Sequence, residues 1–127
     1  MYRYMKEIYR AHEKGLLIVG PTYISKVIGV SKSTAHHMLK NLEKKGYGKY
    51  IERKGFLFNE EGIREARKIM RRHRLLESFF AQIFSFTPSQ ACKEASKIDA
   101  YAGDELIDII EEKYNYKCCP CGHEIPK

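Results

Sequence analysis

The sequence predicts a mainly α-helical chain, with an N-terminal winged helix-turn-helix (three helices and a β-hairpin wing) over residues 1–62 and a helical domain over residues 63–127. Three observations predict it. Apolar residues recur at helical spacing through most of the 127 residues. Two short helical patterns meet at the tight segment Gly29-Val30-Ser31, the spacing of a helix-turn-helix. The period then changes over Tyr47 to Phe58 before helical spacing resumes.

Taken in order, Tyr4, Met5, Ile8, Tyr9 and His12 form one face of a helix over residues 3–14, which Gly15 ends. After apolar Leu16 to Val19 and the turn pair Gly20-Pro21, Thr22 is read as the cap of a short helix containing Ile24, Val27 and Ile28, closed by Gly29. Ser31 caps the next helix, whose Ala35, Met38, Leu39 and Leu42 face inward as far as Gly46. Tyr50-Ile51 and Phe56-Leu57-Phe58 flank Glu52-Arg53-Lys54-Gly55, a hairpin with a charged tip. Asn59 caps a long helix with Glu60 and Glu61 at its positive end. Its apolar positions include Ala66, Ile69, Met70, Leu76, Phe80, Ile83 and Phe84. Thr87-Pro88-Ser89-Gln90 combines cap, first-turn proline and reciprocal capping residue, so a helix runs from about 88 to 100. Gly103-Asp104-Glu105 opens a last helix, and the tail from Asn115 is expected to be irregular.

Composition narrows the function. A chain of this length holds one compact domain or two small lobes, which excludes a large enzyme scaffold. No apolar run is long enough for a membrane span, and the N-terminus lacks the apolar core of a signal peptide, so a cytoplasmic protein is expected. The net charge of +7 is unevenly placed: residues 1–59 hold 12 Lys/Arg against 4 Asp/Glu, and residues 60–127 hold 11 against 12. A basic module joined to a neutral one suits a polyanion binder with a separate assembly part, because phosphate contacts need clustered cations. Double-stranded DNA is the expected partner. The helix opened by Ser31 exposes Lys32, Ser33, Thr34, His36, His37 and Lys40 without an acid among them, and Lys49, Arg53 and Lys54 on the wing would meet flanking phosphates.

Four cysteines, Cys92, Cys118, Cys119 and Cys121, point to metal or redox chemistry rather than a disulfide framework, since three crowd into four residues. His73 and Glu77 lie four apart on one helical face and interrupt an apolar stripe, so both can reach one ion. An ordinary buried hydrogen-bonded pair is the alternative.

The residues also resemble a known family, the diphtheria toxin repressor and manganese transport regulator family of metal-dependent transcription factors. The resemblance spans nearly the whole chain. Its marks are Ile8-Tyr9, Val30-Ser31-Lys32-Ser33-Thr34, Asn59-Glu60-Glu61-Gly62, Arg72-His73-Arg74-Leu75-Leu76-Glu77, Glu94-Ala95, and the ending Cys119-Pro120-Cys121-Gly122-His123-Glu124-Ile125-Pro126. It implies a homodimer on a palindromic operator, with metal favouring the DNA-binding form. It also implies that His73 and Glu77 share one metal site with Cys92. Cys119 and Cys121, brought back by the tail, are the candidates to complete a four-ligand set of mixed N, O and S type. Cys118 or His123 can replace either tail ligand. Thiolates favour zinc over manganese, so one zinc per chain is expected, with iron, cobalt or manganese as alternatives. The family's second site departs from the pattern. Arg3 and Lys6 stand where acidic or thioether ligands are usual, Ser96 replaces a Cys or Glu, Ala100 replaces a His, and only Asp99 remains.

The expectation is thus a non-enzymatic, metal-containing transcriptional regulator with no small organic substrate. A thiol-responsive repressor with structural zinc is the nearest rival. A small zinc enzyme is weaker, because no separate general base or oxyanion donor stands out. A sequence-indifferent architectural DNA protein is the third.

Overall fold

The computed structural model describes residues 1–127, which divide into two compact units, Met1–Arg67 and Lys68–Lys127. In the first unit, helix α1 (Tyr2–Glu13) buries Tyr4, Met5, Lys6, Ile8 and Ala11, close to the face that the spacing predicts. Helix α2 (Pro21–Ile28) differs at its start: Gly20 is the N-cap and Pro21 opens the first turn, so Thr22 is inside the helix rather than capping it. Proline fits there because its missing N–H has no intrahelical acceptor to lose. Gly29 closes α2 at φ 85°, a left-handed conformation in which a side chain would be strained. Val27, read as an inward residue, is 41% exposed, while Ile24 and Ile28 carry the packing.

Helix α3 (Lys32–Lys44) begins at Ser31, whose hydroxyl accepts the Thr34 N–H at 3.1 Å. Ala35, Leu39 and Leu42 are fully buried, whereas Met38 is only half-buried. Glu43 accepts the Tyr50 N–H at 2.7 Å and so fixes the wing to α3. The wing pairs β2 (Gly48–Ile51) with β3 (Gly55–Phe58), antiparallel. The expected two-stranded hairpin proves to be a three-stranded sheet of order β1-β3-β2, because β1 (Ile18–Val19) pairs with the other edge of β3. That pairing satisfies backbone groups which Leu57 and Phe56 would otherwise leave open, and it buries Val19 completely.

Asn59 then starts α4 (Glu60–Phe84) as the spacing predicts. Its Oδ1 accepts the Gly62 N–H at 2.8 Å, and its Nδ2 donates to the Gly46 carbonyl at 2.9 Å. Gly62 has to be glycine on steric grounds, since a Cβ there would lie 1.9 Å from the Tyr47 carbonyl oxygen.

In the second unit, the rest of α4 packs with α5 (Pro88–Ile98) and α6 (Asp104–Tyr114) around Leu75, Leu76, Ala95, Ile107, Ile110 and Ile125. The Thr87/Gln90 capping box is fully formed. Helix α5 ends at Ile98, two residues earlier than expected, with Asp99 as its C-cap. Arg71 pairs with Asp108 and Glu111, and Arg72 with Asp104, tying α4 to α6. The tail is not irregular throughout. Cys118 and Glu124 form an antiparallel bridge, the Cys119 N–H donates to the His123 carbonyl at 2.8 Å, and Gly122 turns the chain at φ 88°. This small knuckle forms because Cys119 and Ile125 are buried, which holds both of its arms against the unit.

Candidate metal centre and nucleic-acid interface

Helix α3 and the wing share one exposed face. Lys32, Ser33, Thr34, His36 and His37 are exposed on α3, and Lys49, Arg53 and Lys54 are exposed on or beside the wing strands. Ser31 is exposed too, but its hydroxyl is engaged with Thr34 through both the N–H and the Thr34 hydroxyl at 2.9 Å. Lys40 is half-buried and held toward the wing. Its ammonium lies 3.4 Å from Glu52 and 5.0 Å from the Tyr50 ring centroid. His36 meets the same ring edge-on at 5.0 Å. Tyr50 and Glu52 therefore organise this surface, whereas the sequence pattern shows only a strand residue and part of a charged tip. Their alternation along the wing was the available signal.

The second unit brings His73, Glu77 and Cys92 together, as it does Glu77, Cys119 and Cys121. In each group the ligand atoms lie within 4.8 Å of one another. Position follows from local structure. His73 and Glu77 occupy successive turns of α4, with His73 Nε2 2.9 Å from Glu77 Oε1. Cys92, in the first turns of α5, puts Sγ 3.5 Å from His73 Nε2. The knuckle delivers Cys121 Sγ to 3.8 Å from Glu77 Oε2. Cys118 is exposed, and His123 Nδ1 is 4.0 Å from Cys119 Sγ.

Asp99 was the one acidic remnant of the second family site in the sequence; here its Oδ2 lies 2.9 Å from His73 Nδ1. Within the first unit, Arg3 donates to the Ile28 carbonyl at 2.6 Å, at the end of α2, and Lys6 is buried. Burial pulls the His73 pKa down, but hydrogen bonds to Asp99, Cys92 and Glu77 outweigh it and raise the value to about 9. Burial and the neighbouring Glu77, Cys119 and Cys92 push the Cys121 thiol up.

The donor set fits a transition-metal ion. Asp99 accepts the hydrogen bond from Nδ1–H, so that Nε2 is the atom that would ligate an ion once it gives up its own proton, the carboxylate–histidine arrangement that metal-ligating imidazoles use. One imidazole, one carboxylate and up to three thiols form a mixed N, O and S set suited to zinc or a neighbouring late metal. None of the four cysteines is in a disulfide.

Fold and cluster together define a winged-helix transcriptional regulator with a metal-binding helical domain. Comparison with known proteins makes this specific. Residues 1–56 match the iron dependent repressor N-terminal DNA binding domain, and residues 59–127 match the iron dependent repressor metal binding and dimerisation domain. The chain belongs to the iron dependent repressor family, the metal-dependent transcriptional repressors that it resembled in sequence, and these are regulators, not enzymes. It is 27% identical over 117 residues to the HTH-type transcriptional regulator MJ0568 of Methanocaldococcus jannaschii, covering 90% of this chain and 94% of that one. A manganese-dependent transcriptional repressor solved in complex with manganese is 28% identical, with a TM-score of 0.90. That match covers 99% of this chain but 58% of the repressor, so the chain spans little more than half its length. The hypothetical protein SSo2273 of Sulfolobus solfataricus shares the fold, at 24% identity and a TM-score of 0.73, over 99% of this chain and 96% of its own. No helix is long and apolar enough to cross a membrane.

Proposed function

We propose that this chain is a homodimeric repressor of a near-palindromic operator, holding one transition-metal ion per chain, zinc first, through His73, Glu77, Cys92, Cys119 and Cys121. Residues 1–62 bind DNA, and residues 63–127 dimerise and hold the metal. The observation that carries the reading is the convergence on Glu77, one of whose oxygens faces His73, a turn earlier on α4, while the other faces Cys121, 44 positions further along the chain. A buried carboxylate is costly without such partners. The manganese-bound relative supports a metal role, while the thiols here shift the preference to zinc, iron or cobalt.

When bound, the ion supplies a crosslink between α4, α5 and the tail. The chain's own residues do the rest. Asp99 fixes the His73 ring and its tautomer, Lys32, His36, His37 and Ser33 present donors to base edges and phosphates, and Lys49, Arg53 and Lys54 meet the flanking backbone. A dimer then presents two such helices, and one spacing matches successive major grooves. Metal analysis of the purified protein, with operator binding measured before and after chelation, tests this. Binding that ignores chelation, in protein that contains no metal, would remove the metal from the function.

A second reading is favoured by the proximity of the Cys119 and Cys121 thiols. Oxidation of metal-binding thiolates releases the ion, giving a thiol-responsive repressor. Loss of DNA binding with oxidant, without any response to metal concentration, would select it.

A further inference from the structure

Helix α4 carries a second i,i+4 pair interleaved with His73 and Glu77, namely Arg74 and Ser78. Both are buried, Arg74 to 1% exposure. Both reach the tail. Arg74 Nη1 donates to the Glu124 carbonyl at 2.8 Å, and Ser78 Oγ lies 3.3 Å from the Cys118 carbonyl. Cys118 and Glu124 are the two partners of the tail's isolated bridge. The helix thus grips both arms of the knuckle that carries Cys119 and Cys121. The two grips are unequal. Ser78 has one hydroxyl proton, and the Arg74 carbonyl at 2.8 Å is the nearer acceptor, so the Cys118 contact is the minor branch. The guanidinium is permanently charged, and burying it is costly unless its donors are used.

We propose that Arg74 is a positioning residue for the metal centre: by clamping Glu124 it folds the Cys118–Glu124 knuckle before any ion arrives, so that Cys119 and Cys121 are already presented to Glu77. The proposal rests on the metal-binding reading above and adds to it which residue makes the tail thiols available. Without the clamp, the tail has to be ordered during binding, and affinity falls by that ordering cost. The sequence Arg72-His73-Arg74-Leu75-Leu76-Glu77-Ser78 then encodes two functions on one helix, one pair for the ion and one pair for the segment that completes its site.

Two measurements test it. In the full-length wild-type chain stripped of metal, the Cys119 and Ile125 amides, which donate to the His123 and Lys117 carbonyls, should be protected from hydrogen exchange. Free exchange at both overturns the clamp, and this readout needs no variant. Titration with Co²⁺ then follows the cobalt–thiolate absorption in wild type, Arg74→Lys and Arg74→Met. Helix content is checked by circular dichroism, so that a variant that fails to fold is set aside in favour of the other. Outer partners of metal ligands typically account for about 10–100-fold in affinity. The expected order is wild type, then Arg74→Lys, which retains a donor, then Arg74→Met, at least about tenfold weaker and with a reduced thiolate band. Ser78→Ala should lose less than Arg74→Met. Unchanged affinity and band intensity in both Arg74 variants overturns the proposal. A wild-type chain that takes up Co²⁺ with no thiolate absorption overturns the metal-binding reading instead, and the exchange measurement still decides the clamp.

Discussion

His73 sits between two carboxylates, with Asp99 at Nδ1 and Glu77 at Nε2, each at 2.9 Å. In the metal-free chain this arrangement favours the imidazolium, which is why its pKa is raised to about 9 despite burial. A metal ion needs the Nε2 lone pair, so binding must expel that proton, and it must also expel the thiol proton of Cys121, whose pKa is raised as well. The sign follows: below about pH 9 metal uptake releases the His73 proton and competes with it, so apparent affinity should climb as pH rises toward about 9. Zinc added to weakly buffered protein at pH 7 should acidify the solution. No acidification would mean that His73 and the thiols are not ligands. Asp99→Asn removes the anion that holds Nδ1–H; it should lower the His73 pKa and weaken metal binding by about 10–100-fold, read by competition with a chelating dye. Equal affinity in the variant would leave Asp99 a merely structural neighbour.

At the scale of elements, local signals were legible and returning chain was not. Ser31, Asn59 and Thr87 act as caps, and each was visible as a short polar side chain before an apolar helical run. The pairing of Ile18 and Val19 with β3 was not visible, because two residues have no period and their partners lie some forty positions further on. At the site the tail cysteines were expected beside His73 and Glu77, Cys92 through the family resemblance, but the contact of Asp99 with His73 was not. The His73–Glu77 spacing gave one turn of α4, but Asp99 comes from 26 positions away and Cys121 meets Glu77 from 44 away. Only packing of α5 and the tail decides those contacts. The wing offers a paired test. Lys40 is shared between Glu52 and Tyr50, so Lys40→Ala should flatten the salt dependence of operator binding by about 0.9 in log–log slope if Lys40 meets a phosphate. Glu52→Gln should steepen or preserve that slope and tighten binding, since it frees the ammonium; weaker binding in Glu52→Gln would make the pair a structural requirement of the wing. Gly62→Ala belongs to the same scale. Its new methyl would have to displace the Tyr47 carbonyl or the α4 start, so a loss of about 1–3 kcal/mol is expected by denaturant unfolding.

For the molecule as a whole, charge is divided unevenly along the sequence, while large apolar side chains are exposed in both parts, Leu16, Leu17 and Val27 among them in the first. The positive excess lies in residues 1–59, whereas residues 60–127 are near neutral and leave large apolar side chains exposed: Ile83 and Phe84 at the end of α4, Ile98 at the end of α5, and Tyr101, which is 87% exposed, just beyond it. Large apolar side chains left exposed are candidates for an association surface, and the matched domain is one of metal binding and dimerisation. The two activities should therefore separate by mutation and by salt. DNA binding should weaken steeply with ionic strength through the N-terminal cations, whereas association through apolar contacts should not. Carboxylates are depleted from the centres of such interfaces, so a double Ile83→Glu, Ile98→Glu variant should sediment as a monomer while still binding one metal ion per chain. With a single half-site engaged, its preference for operator over random duplex should collapse toward the non-specific level, a loss on the order of 10³-fold or more. A variant that remains dimeric by ultracentrifugation would place the interface elsewhere on the chain. A monomeric variant that keeps full operator affinity would mean that one recognition helix is enough, which would remove the reason for a palindromic site.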